Sequence, residues 1–247
     1  SHHLPQAVPL ASIADRWNRR WADEFDTVVC CSRLAAEDFT RIGIAPTLVP
    51  LGVDLRRFRP RPRSSDRDRP TLLLAVVARL SAEKQVDHVI EAARLLRSRG
   101  RSVSLDIAGS GPRERSLRGA AAGLPVRFLG HLPSEDVASM LADADVAIAP
   151  GPAESFGLAV LEALACGTPV VVRQEGAGRE LVTPEIGAAT PGDPAVMADT
   201  IEHVASLPRE ETRRAARHHA EAHSWSRTVD GLLTAHHEVR ARVTVGA

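Results

Sequence analysis

The chain has 247 residues, 44% hydrophobic and 25% charged, with 31 basic residues balanced by 31 acidic ones. That length allows one large domain or two small ones around a buried core, and the balance excludes an overall field for nucleic acid or an anionic membrane. Cys30, Cys31 and Cys166 form neither a disulfide framework nor a zinc spacing, no apolar run reaches the ~18 residues of a membrane span, and no secretory signal opens the chain, so a cytoplasmic protein is expected.

Residues 1–54 hold an apolar helix-like stretch, a short strand at 26–30, a helix at 33–42 and a strand at 47–50. Two such strands cannot complete a sheet, and the segment reads as the tail of a preceding α/β domain whose beginning is missing. Residues 55–70, LRRFRPRPRSSDRDRP, are rich in Arg, Pro and Ser and read as a solvated linker rather than a basic binding patch.

From residue 71 the pattern becomes regular. A continuous apolar run at 71–79 is a strand buried on both faces. A helix at 83–99 follows, with Ser81 as N-cap and Gly100 as its stop. Strands at 103–108, 126–129, 146–149 and 169–172 alternate with helices running to about residue 122, after Pro133 and Ser134, and at 157–165. A short strand at 187–189 and helices at 194–206, 209–222 and 225–240 complete the chain. This alternation predicts an α/β fold, a doubly wound parallel sheet, with 71–224 as its domain and 225–247 as a closing helix.

In such a sheet ligands sit beyond the carboxyl ends of the strands. The first strand-to-helix loop carries Arg79 and Lys84, two cations at a helix start, which suits phosphate. Lys84 is the single lysine among 31 basic residues, a compact point charge in an arginine-biased chain. The next loop, Gly109-Ser110-Gly111-Pro112, either brings backbone close to a ligand or makes a tight turn; Glu114 stands where a dinucleotide fingerprint needs its third glycine. The loop Ala153-Glu154-Ser155-Phe156-Gly157-Leu158 opens the helix that carries Glu162. Two carboxylates with ~7 Å of helical rise between Gly157 and Glu162 could bracket an elongated polar ligand whose hydroxyl groups donate to them; the alternative is that Glu154 helps to cap the helix and Glu162 lies on a solvated face. Glu162 lies among Val160, Leu161, Ala163 and Leu164, where an unpaired carboxylate is costly.

The string from Glu154 through Glu162 to Cys166-Gly167-Thr168-Pro169 resembles the E-x7-E motif of retaining GT-B glycosyltransferases of the group 1 (family 4) type. The segments 51–54 (LGVD), 58–60 (FRP), 78–84 (ARLSAEK), 107–112 (IAGSGP) and 126–132 (VRFLGHL) agree with that family in order and spacing. The loop APGPAESFG at 149–157 is similar to that of actinobacterial mannosyltransferases acting on glycolipids. The resemblance implies two Rossmann-like domains facing across a cleft, with the nucleotide-sugar donor held mainly by the C-terminal one. It implies that Arg79 and Lys84 hold the diphosphate and that Glu162 bonds the ribose. Glu154, with the backbone of Ser155, Phe156, Gly157 and Leu158, would hold the transferred sugar. Gly109 and Gly111 would line the donor site, and Leu132 the base pocket; two positions further on, where some guanine-using relatives are acidic, this chain has Ser134. The family often places a histidine against the sugar, a role that falls to His2.

The reading is a retaining, metal-independent hexosyltransferase that needs no cofactor. It would move mannose, from a donor such as GDP-mannose, to a lipid or glycan acceptor at the inner face of the cell membrane. Without the missing N-terminal domain, the chain alone is expected to be inactive. The rivals are a non-catalytic nucleotide-binding module and a GT-B epimerase or phosphorylase. His218, His219, His223, His236 and His237 are read as an exposed helix surface without a metal frame.

Overall fold

The computed structural model describes residues 10–62 and 71–245. Its centre is a six-stranded, wholly parallel sheet formed by β3 (Leu72–Val77), β4 (Val103–Ala108), β5 (Val126–Gly130), β6 (Val146–Ala149), β7 (Val170–Arg173) and β8 (Gly187–Thr190). The strands lie in the order β5-β4-β3-β6-β7-β8, so the winding direction reverses between β3 and β6, the topological switch point of a doubly wound sheet. The α/β architecture is the one the apolar alternation predicts, with β8 as a sixth strand.

Helices cover both faces. On one, α3 (Val86–Ser98) and α7 (Pro194–Ala205) bury Val89, Ile90, Leu96, Met197 and Ile201 against the sheet. On the other, α5 (Ser134–Asp143), α6 (Leu158–Ala165) and α8 (Arg209–Glu221) enclose Leu141, Leu161, Leu164, Ala216 and Ala220. The short α4 (Glu114–Ala120) links β4 to β5. One carboxylate enters the sheet itself. Asp106 on β4 is 2% exposed and is held by the Arg127 guanidinium of β5, with Nε donating at 2.6 Å.

Two helix starts differ from the sequence pattern. The segment Ala82–Lys84 is a 3-10 turn, and α3 begins only at Val86 because Gln85 takes a left-handed conformation, φ 47° and ψ 40°. Ser81 does not cap the turn; its hydroxyl bonds the Glu83 carboxylate. At α6 the break falls on Gly157, φ 99°, so the helix starts at Leu158.

The first elements are α1 (Leu10–Ala22), β1 (Val29–Cys30), α2 (Arg33–Thr40) and β2 (Thr47–Leu48). β1 and β2 pair in parallel as a separate two-stranded sheet. Residues 55–62, expected as a solvated linker, are instead fastened to the large sheet's helices. Phe58 is 5% exposed, and the Arg217 guanidinium of α8 donates to the carbonyls of Phe58 at 2.9 Å and Ala165 at 3.1 Å. The arginine count of this stretch concealed one buried aromatic anchor; residues 63–70 lie outside the described residues. The long α9 (Trp225–Val245) crosses back onto the first elements, where the Thr228 hydroxyl donates to the Pro50 carbonyl at 2.9 Å.

Candidate active site

The carboxyl ends of β3, β4 and β5 open into a cleft of ≈ 460 Å³ lined by Val77, Arg79, Gly109, Ser110, His131 and Leu132 among others. Arg79 is exposed at its edge. The β4 loop is stitched to the β3 loop by backbone hydrogen bonds, Ala78 N–H to Ala108 O and Leu80 N–H to Ser110 O, both 3.0 Å. Gly109 and Gly111 make that seam possible. A Cβ on Gly109 would lie 1.9 Å from the Ala78 carbonyl oxygen, and one on Gly111 2.4 Å from that of Leu80. Their missing side chains therefore face protein, and the seam fixes the position of Arg79.

Across the switch point, the loop after β6 meets the loop after β3. Lys84 Nζ forms an ion pair with Glu154 Oε1, each side chain about a quarter exposed. Seventy positions separate these residues in the chain, and only the β3-β6 pairing brings them together. The Glu154 carbonyl accepts from Ala177 N–H at 2.8 Å, which ties the loop to the turn after β7. Phe156 is 5% exposed and anchors the same loop from below. Among the described residues no acceptor takes the backbone N–H of Ser155, Phe156, Gly157 or Leu158, so the start of α6 presents donors and the positive end of its dipole at this point. Leu158 itself is 41% exposed.

Glu162 sits one turn into α6, half-buried. Burial among apolar neighbours pushes its carboxyl up to about 7, because desolvation penalises the charged form. No described residue donates a hydrogen bond to it. A partly buried acceptor without a donor, beside a cluster of cations and N–H groups, suits a ligand that brings its own hydroxyls.

The structure also brings in residues that the sequence analysis passed over. The Ser32 hydroxyl, which caps α2 by accepting from Ala35 N–H at 3.0 Å, donates to the Ser155 carbonyl at 2.6 Å. The Glu180 carboxylate accepts from Arg33 N–H at 2.9 Å and Leu34 N–H at 2.8 Å, so a residue of the β7–β8 connection caps α2. Arg173, at the end of β7, is 6% exposed and donates to Gln85 Oε1 at 2.5 Å and to Glu175 Oε2 at 3.0 Å. The available signal for Arg173 was a charge closing the apolar run of β7. His2 lies outside the described residues. Of the clustered histidines, His218, His236 and His237 are exposed, whereas His219 and His223 are half-buried and stack with ring centroids 5.2 Å apart, correcting the expectation of a wholly exposed set. Burial, with the other two imidazoles nearby, lowers the pKa of His219.

A parallel doubly wound sheet with its ligand-facing loops gathered at the switch point is the C-terminal architecture of GT-B glycosyltransferases. The profile of the family Glycosyl transferases group 1 matches residues 59–223, and the chain belongs to that family. It is 44% identical over 227 residues to a GDP-mannose-dependent alpha-(1-6)-phosphatidylinositol dimannoside mannosyltransferase of Mycobacterium tuberculosis, covering 89% of this chain and 60% of that protein. It is 41% identical over 209 residues to a D-inositol 3-phosphate glycosyltransferase of Geodermatophilus obscurus, covering 76% of this chain and 46% of the other. Among solved structures, sucrose-phosphate synthase of Thermosynechococcus elongatus superposes with a TM-score of 0.78 at 22% identity, over 98% of this chain and 65% of that one. The chain thus spans about half to three fifths of the length of these curated relatives.

Proposed function

We propose that this chain is the donor-binding side of a retaining hexosyltransferase that takes mannose from GDP-mannose and passes it to a lipid or glycan acceptor. The observation that carries the reading is the convergence of Lys84, Glu154 and the α6 N-terminus at the switch point, with the unpartnered Glu162 behind them. The mannose and guanine assignments rest on the likeness to the mycobacterial mannosyltransferase.

In this reading Arg79 and Lys84 bind the diphosphate, Glu162 accepts from the ribose hydroxyls, and Leu132 and its neighbours line the base pocket. Glu154 and the N–H groups from Ser155 to Leu158 orient the hexose. As the glycosidic bond breaks, negative charge grows on the departing diphosphate. Arg79, Lys84 and the dipole of α6 would stabilise that charge, with Lys84 shared between the diphosphate and Glu154. These groups supply the charge compensation that a divalent ion gives elsewhere, so we propose a metal-independent transfer. No described carboxylate is assigned as a nucleophile. His2 is proposed to face the sugar, and residues 1–54 to belong to an acceptor domain, with the acceptor presented at the cytoplasmic face of a membrane. No described helix is long and apolar enough to cross a membrane, which suits a peripheral association.

The test is a thermal-shift comparison of GDP-mannose, UDP-glucose, GDP and UDP in the presence of a chelator. A ligand that binds only the folded state raises stability by mass action. A shift with GDP-mannose larger than with UDP-glucose, undiminished by the chelator, is expected; equal absence of shift with all four ligands would sink the proposal.

A further inference from the structure

Gln85 is the only residue other than glycine with positive φ among the described residues, at φ 47° and ψ 40°. A left-handed side-chain-bearing residue is strained, and such strain persists only where surrounding structure fixes it. The fixing group is visible. Arg173 lies almost wholly inside the protein, and its Nη1 donates to Gln85 Oε1 at 2.5 Å while its Nε donates to Glu175 at 3.0 Å. Its guanidinium is backed by Gly192, where a Cβ would lie 2.7 Å from both terminal nitrogens. Gly192 is in turn tied to α3, because its carbonyl lies 2.6 Å from His88 Nδ1. The anchor therefore cannot drift away from Gln85 without disturbing β7, the loop before α7 and the first turn of α3 together.

The consequence falls on the neighbouring residue. Lys84 ends the 3-10 turn and Gln85 opens α3, so the left-handed step at Gln85 sets the direction from which the Lys84 side chain leaves the backbone. A right-handed Gln85 would run turn and helix together and carry Lys84 away from Glu154 and the cleft. We infer that the Gln85–Arg173 pair is a positioning device that holds Lys84 toward the diphosphate subsite, using one strained residue and one buried guanidinium. The inference rests on the assignment of Lys84 to the diphosphate proposed above.

Glycine adopts the left-handed region without support, and that makes the device separable from ordinary packing. Binding of GDP and of UDP is measured by calorimetry on folded protein, checked by circular dichroism, for Lys84→Ala, Gln85→Ala, Gln85→Gly, Arg173→Met and the double variant Gln85→Gly with Arg173→Met. Gln85→Ala and Arg173→Met should each weaken binding by about tenfold, the affinity equivalent of leaving one left-handed residue unsupported. Gln85→Gly should recover most of the affinity lost in Gln85→Ala and should make Arg173→Met nearly silent. A purely structural arginine would weaken binding equally in both backgrounds, and that result overturns the inference. If Arg173→Met does not fold, the pair Gln85→Ala against Gln85→Gly decides alone, and equal affinities there overturn it. Normal binding in Lys84→Ala would overturn the diphosphate assignment and this inference with it. Weak binding in Lys84→Ala beside normal binding in Gln85→Ala overturns this inference only.

Discussion

Lys84 and Glu154 neutralise each other across the switch point, so an anion that Lys84 is to hold must share it with a carboxylate already in place. Lys84→Ala should cost roughly 1.5–3 kcal/mol of nucleoside diphosphate affinity by calorimetry, the worth of a charged hydrogen bond. Glu154→Gln should act in the opposite sense on the free diphosphate, which should bind at least as tightly once the competing charge is gone. The same variant should weaken the complete sugar nucleotide by about 1–2 kcal/mol, because the hexose loses a charged acceptor. Glu162→Gln should weaken both ligands, since both carry the ribose; equal losses for the two carboxylates on both ligands would refute this division. Glu162 adds a pH signature. Its carboxyl is raised from 4.5 to about 7 in the folded protein by burial, so the folded state keeps a proton that the unfolded chain releases. The sign follows: this stabilisation is complete below the unfolded value and is lost as pH rises through about 7, on the order of 3 kcal/mol in all. Thermal melts of the unliganded protein should show Glu162→Gln removing part of the fall in Tm between about pH 5 and pH 8.

The elements show which features were written in the sequence and which were not. Strands β4 and β6 fall on the residues that the sequence marks: β6 is a continuous apolar run, as a strand buried on both faces favours, and β4 sets Val103, Leu105 and Ile107 against Ser104 and Asp106, the last needing Arg127 of the next strand. Helix starts were harder to see, since the left-handed residue that delays α3 is a glutamine, and only its tie to Arg173 from another strand explains why it is tolerated. The E-x7-E carboxylates were legible from their own loop and helix, but the contact of Glu154 with Lys84 depends on strand order, which no local spacing encodes. The same holds for α2, whose N-terminal N–H groups are capped by Glu180 from 146 positions away. Loss of such a cap leaves backbone donors of a helix end without a partner, and Glu180→Ala should cost about 1 kcal/mol. Urea unfolding measures that loss, and hydrogen exchange at Arg33 and Leu34 should accelerate in the same variant. Unchanged exchange there would mean that Ser32 alone holds the helix end.

On the scale of the whole molecule, the described surface carries large apolar side chains on two helices, α1 and α9. Trp17 and Trp21 of α1, with Phe25 beyond it, are each more than half exposed and stack in series with centroids 6.5 and 6.4 Å apart. On α9, Trp225, Val229, Leu232 and Leu233 are exposed to a similar degree. Apolar groups grouped in this way mark contact surfaces; α1 is tied to the C-terminal end of α2 by the Arg41–Asp15 ion pair, and α9 lies against Val49 and Pro50 just past β2. The loops proposed to bind the donor come from residues 79–180 and are held both by the large sheet and by the start of α2, through Ser32 on Ser155 and Glu180 on Arg33 and Leu34, whereas an acceptor would need a second wall opposite them. The chain spans 60% of the length of the mycobacterial relative, so the proposed division of labour makes a separable forecast. These 247 residues should bind the nucleotide sugar, with Lys84→Ala and Glu162→Gln losing affinity as argued above, and yet transfer little or no hexose to a phosphatidylinositol mannoside or to water. Bound donor without turnover, read by calorimetry and by release of free nucleoside diphosphate on the same preparation, is the expected result. Brisk release of nucleoside diphosphate with matching glycolipid product would show that the donor side carries the acceptor site as well, and would end the two-wall reading.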